Sequence, residues 1–404
     1  MSVTLKQIKK SYENIRQNIR RTELNYSDEL SQWLGCKIFI KFENRQFTGS
    51  FKIRGAYNKI LALPKQKKIC GVISLSAGNH AQGVAFCATK IGVESTIVMP
   101  TTTPFTKIQR TKSFGGNVII EGDDLEDANK LVAHLAKDKN LTNVHPFDDW
   151  DVIAGQGTLG LEIAQDTDHL DYLFVPVGGG GLISGCSIAI NELKPQTKII
   201  GIQTKNFPSL HNTLHQTKLK CSGTTIADGI AVAKIGEKPA EIINKYVEDV
   251  ITVEEESIEQ AIAILASTEK VVTEGSGAIG LAALLENKRR FANKNIGIIL
   301  CGGNIDAKIL SSVLMRHLVR TGQISTITIK IPDKPGRLNS ISSICSQFGA
   351  NILEVNHSRF TMDLPTSFAK LDITLETRNQ DHLDKILKKI RDLGFPVSFE
   401  KKHN

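Results

Sequence analysis

Between residues 37 and 320 short apolar runs alternate with stretches of helical spacing. The runs at 72–75, 95–99, 117–120, 172–177, 198–204 and 296–301 are of strand length, while 81–91, 124–137 and 257–270 repeat apolar residues at helical intervals. Successive strands separated by helices pair in parallel through crossovers, so the alternation predicts an α/β fold with a largely parallel sheet covered by helices on both faces. Ligands of such sheets bind at the C-terminal ends of the strands, and the loops there are where chemistry is expected.

After Arg320 the pattern changes. A short polar break at 321–323 leads into an alternating strand at 325–331, and the turn Pro332-Asp-Lys-Pro-Gly-Arg-Leu338 feeds a helix at 338–348. Strands at 350–359 and 368–375, a helix at 380–393 and a last strand near Val397 complete a βαββαβ order, the ferredoxin-like α+β pattern. In this arrangement 325–331 is expected to be an exposed strand able to pair with a neighbouring copy. The domain boundary is placed near residue 323, giving domains at 1–322 and 323–404.

Composition narrows the function classes. The net charge of +8 arises from 50 Lys and Arg against 42 Asp and Glu spread along the chain, which does not make the basic face of a nucleic-acid binder. No apolar run approaches the roughly 18 residues of a membrane span. The one basic cluster, at 6–21, carries Leu5, Ile8, Tyr12, Ile15 and Ile19 at helical spacing and reads as a solvated helix packing one face on the core. Seven cysteines, an odd number without a Cys-x-x-Cys pair, suit reduced thiols in a cytoplasm better than a disulfide framework or a zinc site.

Four strand-end sites carry candidate chemistry. Gly178, Gly179, Gly180 and Gly181, followed by Leu182, leave a strand and open an apolar helix, so that backbone N–H groups and the positive helix end can hold a phosphate. The spacing fits neither Gly-x-Gly-x-x-Gly nor a Walker loop, since Cys186 stands where the latter needs lysine; the competing reading is a tight turn. Lys52, in Gly49-Ser-Phe-Lys-Ile-Arg-Gly55, sits in the first turn of a helix among small and apolar residues, where desolvation favours the neutral, nucleophilic amine able to form a Schiff base. Ser76, Ala77, Gly78, Asn79 and His80 open another helix and offer backbone donors to a carboxylate, although a capped helix start is the plainer reading. Cys301, before Gly302 and Gly303, is placed to touch the edge of a flat ligand or to fill a small buried space.

A lysine, a phosphate cradle, a carboxylate loop and a ring-edge partner on one α/β unit are the set that pyridoxal phosphate chemistry requires. The sequence resembles the threonine dehydratases (threonine ammonia-lyases) of the fold-type-II pyridoxal-phosphate enzymes. The resemblance rests on Ser50-Phe-Lys-Ile-Arg-Gly55, Ser76-Ala-Gly-Asn-His-Ala-Gln-Gly83, Val144-His-Pro-Phe-Asp-Asp149, Gly178 to Leu182, Thr225-Ile-Ala-Asp-Gly229, Val272-Thr-Glu-Gly-Ser-Gly277 and Cys301-Gly-Gly-Asn304, colinear over about 5–320. It implies a tryptophan synthase β-like catalytic domain in two lobes, the smaller at about 49–151 inserted in the larger. It further implies that Lys52 carries the cofactor, that Asn79 contacts its 3′-oxygen, that 178–182 hold its phosphate, and that Cys301 faces its pyridine nitrogen. Residues 76–80 then receive the substrate carboxylate. The tail resembles an ACT domain through Asp333-Lys-Pro-Gly-Arg-Leu338, which implies a small effector and a homo-oligomer, dimer or tetramer.

The resemblance implies β-elimination from L-threonine, and from L-serine, with a serine dehydratase, another fold-type-II lyase and a non-catalytic amino-acid sensor as the alternatives. Two departures carry expectations. Ala77 replaces the second serine of the related serine racemases, which implies elimination without racemisation, and Gln203 and Ser209 replace the acids of their divalent-metal site, so no metal is expected.

Overall fold

The computed structural model describes residues 3–123, 125–359 and 364–399. By its contacts the chain divides into two compact units, Met1–Asp306 and Ala307–Asn404.

The first unit holds two sheets. The larger has the order Leu24–Ser27, Lys37–Lys41, Asn295–Ile299, Tyr172–Pro176, Lys198–Thr204, Asp249–Val253, with every pairing parallel except the first. The smaller runs Asn117–Ile120, Ser95–Met99, Val72–Leu75, Thr142–Asn143, all parallel, and its chain lies between the second and fourth strands of the larger sheet. The central strands read as unbroken apolar runs because helices cover both faces: Leu173, Phe174, Val175 and Ile200 have no exposure. Sequence periodicity misses four strands. Leu24–Ser27 is an edge strand with polar residues, Thr142–Asn143 is only two residues long, and Lys37–Lys41 and Asp249–Val253 mix polar with apolar side chains. The helix expected at 124–137 spans Leu125–Asp138; Asp124 lies outside the described residues.

The helices Trp150–Asp166 and Gly181–Leu193 cross at the centre of this unit. A Cβ on Gly185 would fall against the Gly157 backbone and the Ile153 carbonyl, so two side-chain-free positions set how closely these helices approach. All residues from 152 to 164 are buried as a result.

The second unit has a four-stranded antiparallel sheet in the order Asn351–Ser358, Phe368–Glu376, Ile324–Pro332, Val397–Phe399. The helices Arg337–Phe348 and Gln380–Asp392 pack Ile341, Ile344, Leu383 and Ile386 against Ile327, Ile329, Leu371 and Ile373. The strand that the sequence places at an exposed position is instead internal, paired with 368–376 on one side and 397–399 on the other. Local periodicity shows which face a strand buries but not which strands flank it, and the returning 397–399 segment takes the position. The sheet edges are Asn351–Ser358 and Val397–Phe399, and Leu353 and Val355 on the former are exposed.

Among the described residues no helix is long and apolar enough to cross a membrane, and no group of three or more His, Cys, Asp or Glu is arranged to hold a metal ion.

Candidate active site

Lys52 is the first residue of the helix Lys52–Ala62, which starts without a side-chain cap. Two residues on, Arg54 is buried and anchors the helix: Nε and Nη2 donate to Glu43 at 2.8 and 2.7 Å, while Nη1 and Nη2 donate to Glu162, both at 2.8 Å. Lys41 Nζ reaches the same Glu162 at 2.8 Å. Burial alone lowers an arginine pKa, and here the two carboxylates more than offset it, so the guanidinium is held firmly charged. Lys52 is half-buried, yet the protein around its amine withholds enough water to lower its pKa to about 8, with Cys301 and Glu274 pulling it partly back up. Its Nζ donates to the Pro146 carbonyl at 3.0 Å.

Pro146 belongs to a turn that the side chain of His145 builds, its Nδ1 accepting the N–H groups of Phe147 (3.3 Å) and Asp148 (2.8 Å). The next residue meets the glycine loop: a Cβ on Gly179 would collide with the Phe147 ring, and one on Gly181 would stand 3.0 Å from Phe147 Cα. One turn therefore contacts both the lysine and the loop. Gly180 sits at φ +96°, a conformation that side chains other than glycine resist, and ends the loop before the helix Gly181–Leu193, which again has no side-chain cap. The four glycines thus form a tight turn, as the plainer reading of the sequence expected. Leu182 is buried behind the loop.

Ser76, Ala77, Gly78 and Asn79 are half-buried, and space is open beside Gly78. Ser76 Oγ accepts the Gly78 N–H at 3.3 Å, and the helix Asn79–Ile91 starts without a side-chain cap. His80 turns its ring the other way. Its Nε2 is 2.8 Å from the Val144 carbonyl, and burial, with Lys52 nearby, lowers its pKa to about 3. The ring is therefore neutral, Nε2 carries the proton, and Nδ1 is a buried acceptor without a partner. Only the backbone N–H of His80 remains for a carboxylate.

Cys301 follows the strand Asn295–Ile299, is 3% exposed, and takes the Phe51 N–H on its carbonyl at 3.1 Å. Burial, then the adjoining Glu274 carboxyl, pushes its thiol well up, so it stays protonated. Glu274 Oε1 accepts from Asn79 Nδ2 and Ser276 Oγ, each at 2.7 Å. Sequence reasoning assigned no role to Glu274, Ser276, His145 or Phe147, although each lies in a stretch that carried the family resemblance. At the position expected to lack a metal, the Gln203 amide donates to the Val177 carbonyl at 3.2 Å and to Ser209 Oγ at 3.0 Å.

A phosphate, an aldehyde and a flat ring make demands that these residues meet. Two helix starts without side-chain caps offer donors to two anions, Gly179 and Gly180 leave no room for a Cβ, and Ser50 Oγ beside Lys52 is buried without a partner. Residues 15–302 match the family described as "Pyridoxal-phosphate dependent enzyme". The chain belongs to that family. Residues 321–394 of this pyridoxal-phosphate-dependent enzyme match the ACT domain family. Over 397 residues the enzyme is 43% identical to a Thermotoga maritima protein named L-threonine ammonia-lyase, covering 98% of this chain and 99% of that one. Among solved structures it is similar to the processed form of threonine deaminase isoform 2 from Solanum lycopersicum, with a TM-score of 0.72, 34% identity, and coverage of 78% of this chain and 89% of that one. It is also similar to maize serine racemase, with a TM-score of 0.73, 33% identity, and coverage of 79% and 99%.

Proposed function

We propose that this enzyme is an L-threonine ammonia-lyase that converts L-threonine to 2-oxobutanoate and ammonia, with L-serine as a second substrate giving pyruvate. The observation that carries the reading is the Pro146–Phe147 turn, which joins a lysine of lowered pKa to a glycine loop at an uncapped helix start. Water leaves from Cα and Cβ and a water later returns, so the net change is loss of ammonia.

Bound pyridoxal phosphate supplies an electron sink for the Cα–H bond that breaks. The backbone N–H groups of 178–182 would hold its phosphate, Asn79 would meet its 3′-oxygen and Cys301 its ring nitrogen. Lys52 would carry the cofactor, and its neutral amine would be the base that takes the Cα proton; its lowered pKa supports the free amine. The backbone of 76–80 binds the substrate carboxylate. The Cys301 thiol, held neutral and a weak donor, would do little to protonate the ring nitrogen, which would favour β-elimination over transamination. Ala77 puts no hydroxyl on the face opposite Lys52, which argues against the racemase reading that maize serine racemase raises.

We assign catalysis to the chain before the 321–323 break and regulation to the ACT domain, whose Gly336 turn and uncapped helix Arg337–Phe348 suit the carboxylate of a branched-chain amino acid. The chain is assigned to the cytoplasm, as a homo-oligomer. The test is a 2-oxo acid assay with L-threonine and L-serine, with and without isoleucine, valine and nucleotides. Absence of 2-oxobutanoate from threonine overturns the proposal.

A further inference from the structure

Asn79 is held from both ends. Its Nδ2 donates to Glu274 Oε1 at 2.7 Å, and its Oδ1 accepts from Asn304 Nδ2 at 2.6 Å. Asn304 Nδ2 is itself fixed as the donor, because it also faces the Thr48 carbonyl at 2.9 Å. A carboxylate oxygen only accepts, so these two neighbours leave the Asn79 amide one orientation, with the second Nδ2 hydrogen unused by either. The same Glu274 oxygen takes the Ser276 hydroxyl at 2.7 Å. Glu274 is 4% exposed and Ser276 1%. A Cβ on Gly302 would stand 2.8 Å from Glu274 Cδ and 3.0 Å from Asn79 Nδ2, so the glycine after Cys301 is what admits the pair.

We infer that Glu274 is a positioning residue: it fixes Asn79 as a hydrogen-bond donor toward the cofactor's 3′-oxygen. The inference rests on the cofactor placement given under Proposed function. An amide free to turn would present a carbonyl to an oxygen, where nothing would be shared. A carboxylate neighbour removes that choice, and it reaches Asn79 across 195 positions of the chain.

The experiment measures pyridoxal phosphate affinity and the visible absorbance spectrum of the full-length protein. The variants are Glu274→Gln, Glu274→Met, Asn79→Ala and the double variant Glu274→Met with Asn79→Ala. Glutamine keeps an acceptor at the same reach, whereas methionine fills the space without one. Glu274→Met is expected to weaken cofactor binding about tenfold, the scale of one lost charge-assisted hydrogen bond, and to shift the visible band. Glu274→Gln should bind within about twofold of the parent. Adding Glu274→Met to Asn79→Ala should cost little more than Asn79→Ala alone, because the two act through one contact. Independent, multiplying losses, or a Glu274→Met protein with the parent's affinity and spectrum, overturns the inference. Failure of the parent protein to bind pyridoxal phosphate would instead overturn the functional reading, so the two failures are distinguishable.

Discussion

Lys52 Nζ rests 3.0 Å from the carbonyl of Pro146, ninety-four positions along the chain. The contact ties the helix that starts at Lys52 to the turn whose next residue, Phe147, packs on Gly179 and Gly181. The amine and the glycine loop are therefore linked through two consecutive residues, Pro146 and Phe147.

Lys52→Met is expected to abolish both the yellow colour of the protein with pyridoxal phosphate and 2-oxo acid formation. It should also stabilise the cofactor-free protein. Lys52 titrates near 8 when folded against an ordinary 10.5, so the unfolded chain binds more protons between those values and stability rises with pH across that window. Below it the folded protein carries the full cost of a poorly solvated ammonium, on the order of 3 kcal/mol at most. Melting curves of the cofactor-free forms at pH 7 and pH 10 check the sign: the gain from Lys52→Met should shrink at the higher pH.

The rate at which cofactor-free protein takes up pyridoxal phosphate should rise with pH and level off above about 8, because only the neutral Lys52 amine attacks an aldehyde. A stopped-flow trace of the visible band over pH 6 to 9.5 measures it, and a flat profile contradicts the assignment.

Gly179→Val should weaken cofactor binding and lower the melting temperature together, since the added side chain meets the Phe147 ring as well as the space in front of the loop. Isothermal titration and a thermal scan on the same variant separate the two losses.

Arg54→Ala leaves Glu43 and Glu162 buried without their guanidinium, and removing one partner of such a network costs roughly 3–5 kcal/mol. The expected fall in melting temperature is on the order of 10 °C.

A chain ending at Asp306 removes the whole second compact unit and should keep the cofactor while losing any response to branched-chain amino acids. Ending at Gly322 is the poorer test. The carbonyl of Gly322 takes the Thr377 hydroxyl and that of Gln323 takes the Thr377 N–H, so the break belongs to the fold of the second unit. An identical effector response from the truncated and the full-length enzyme contradicts the regulatory role.

The sequence by itself determined the local structure and the chemistry of single residues. Apolar runs of strand length located the buried strands 72–75, 95–99 and 198–204, because a strand covered on both faces must be largely apolar. Glycines at 178–181 marked a helix start that no side chain caps, and small residues around Lys52 marked an amine short of water. The tertiary structure alone decided which groups share an oxygen atom or a carbonyl. Nothing in Val272-Thr-Glu-Gly-Ser-Gly277 announces that Glu274 will meet Asn79 across 195 positions, or that His80 will spend its ring on Val144. The same holds for strand 324–332, whose alternation is visible but whose two flanking partners are not. Periodicity is a property of neighbours along the chain, whereas hydrogen-bond partners and sheet order depend on how whole elements pack.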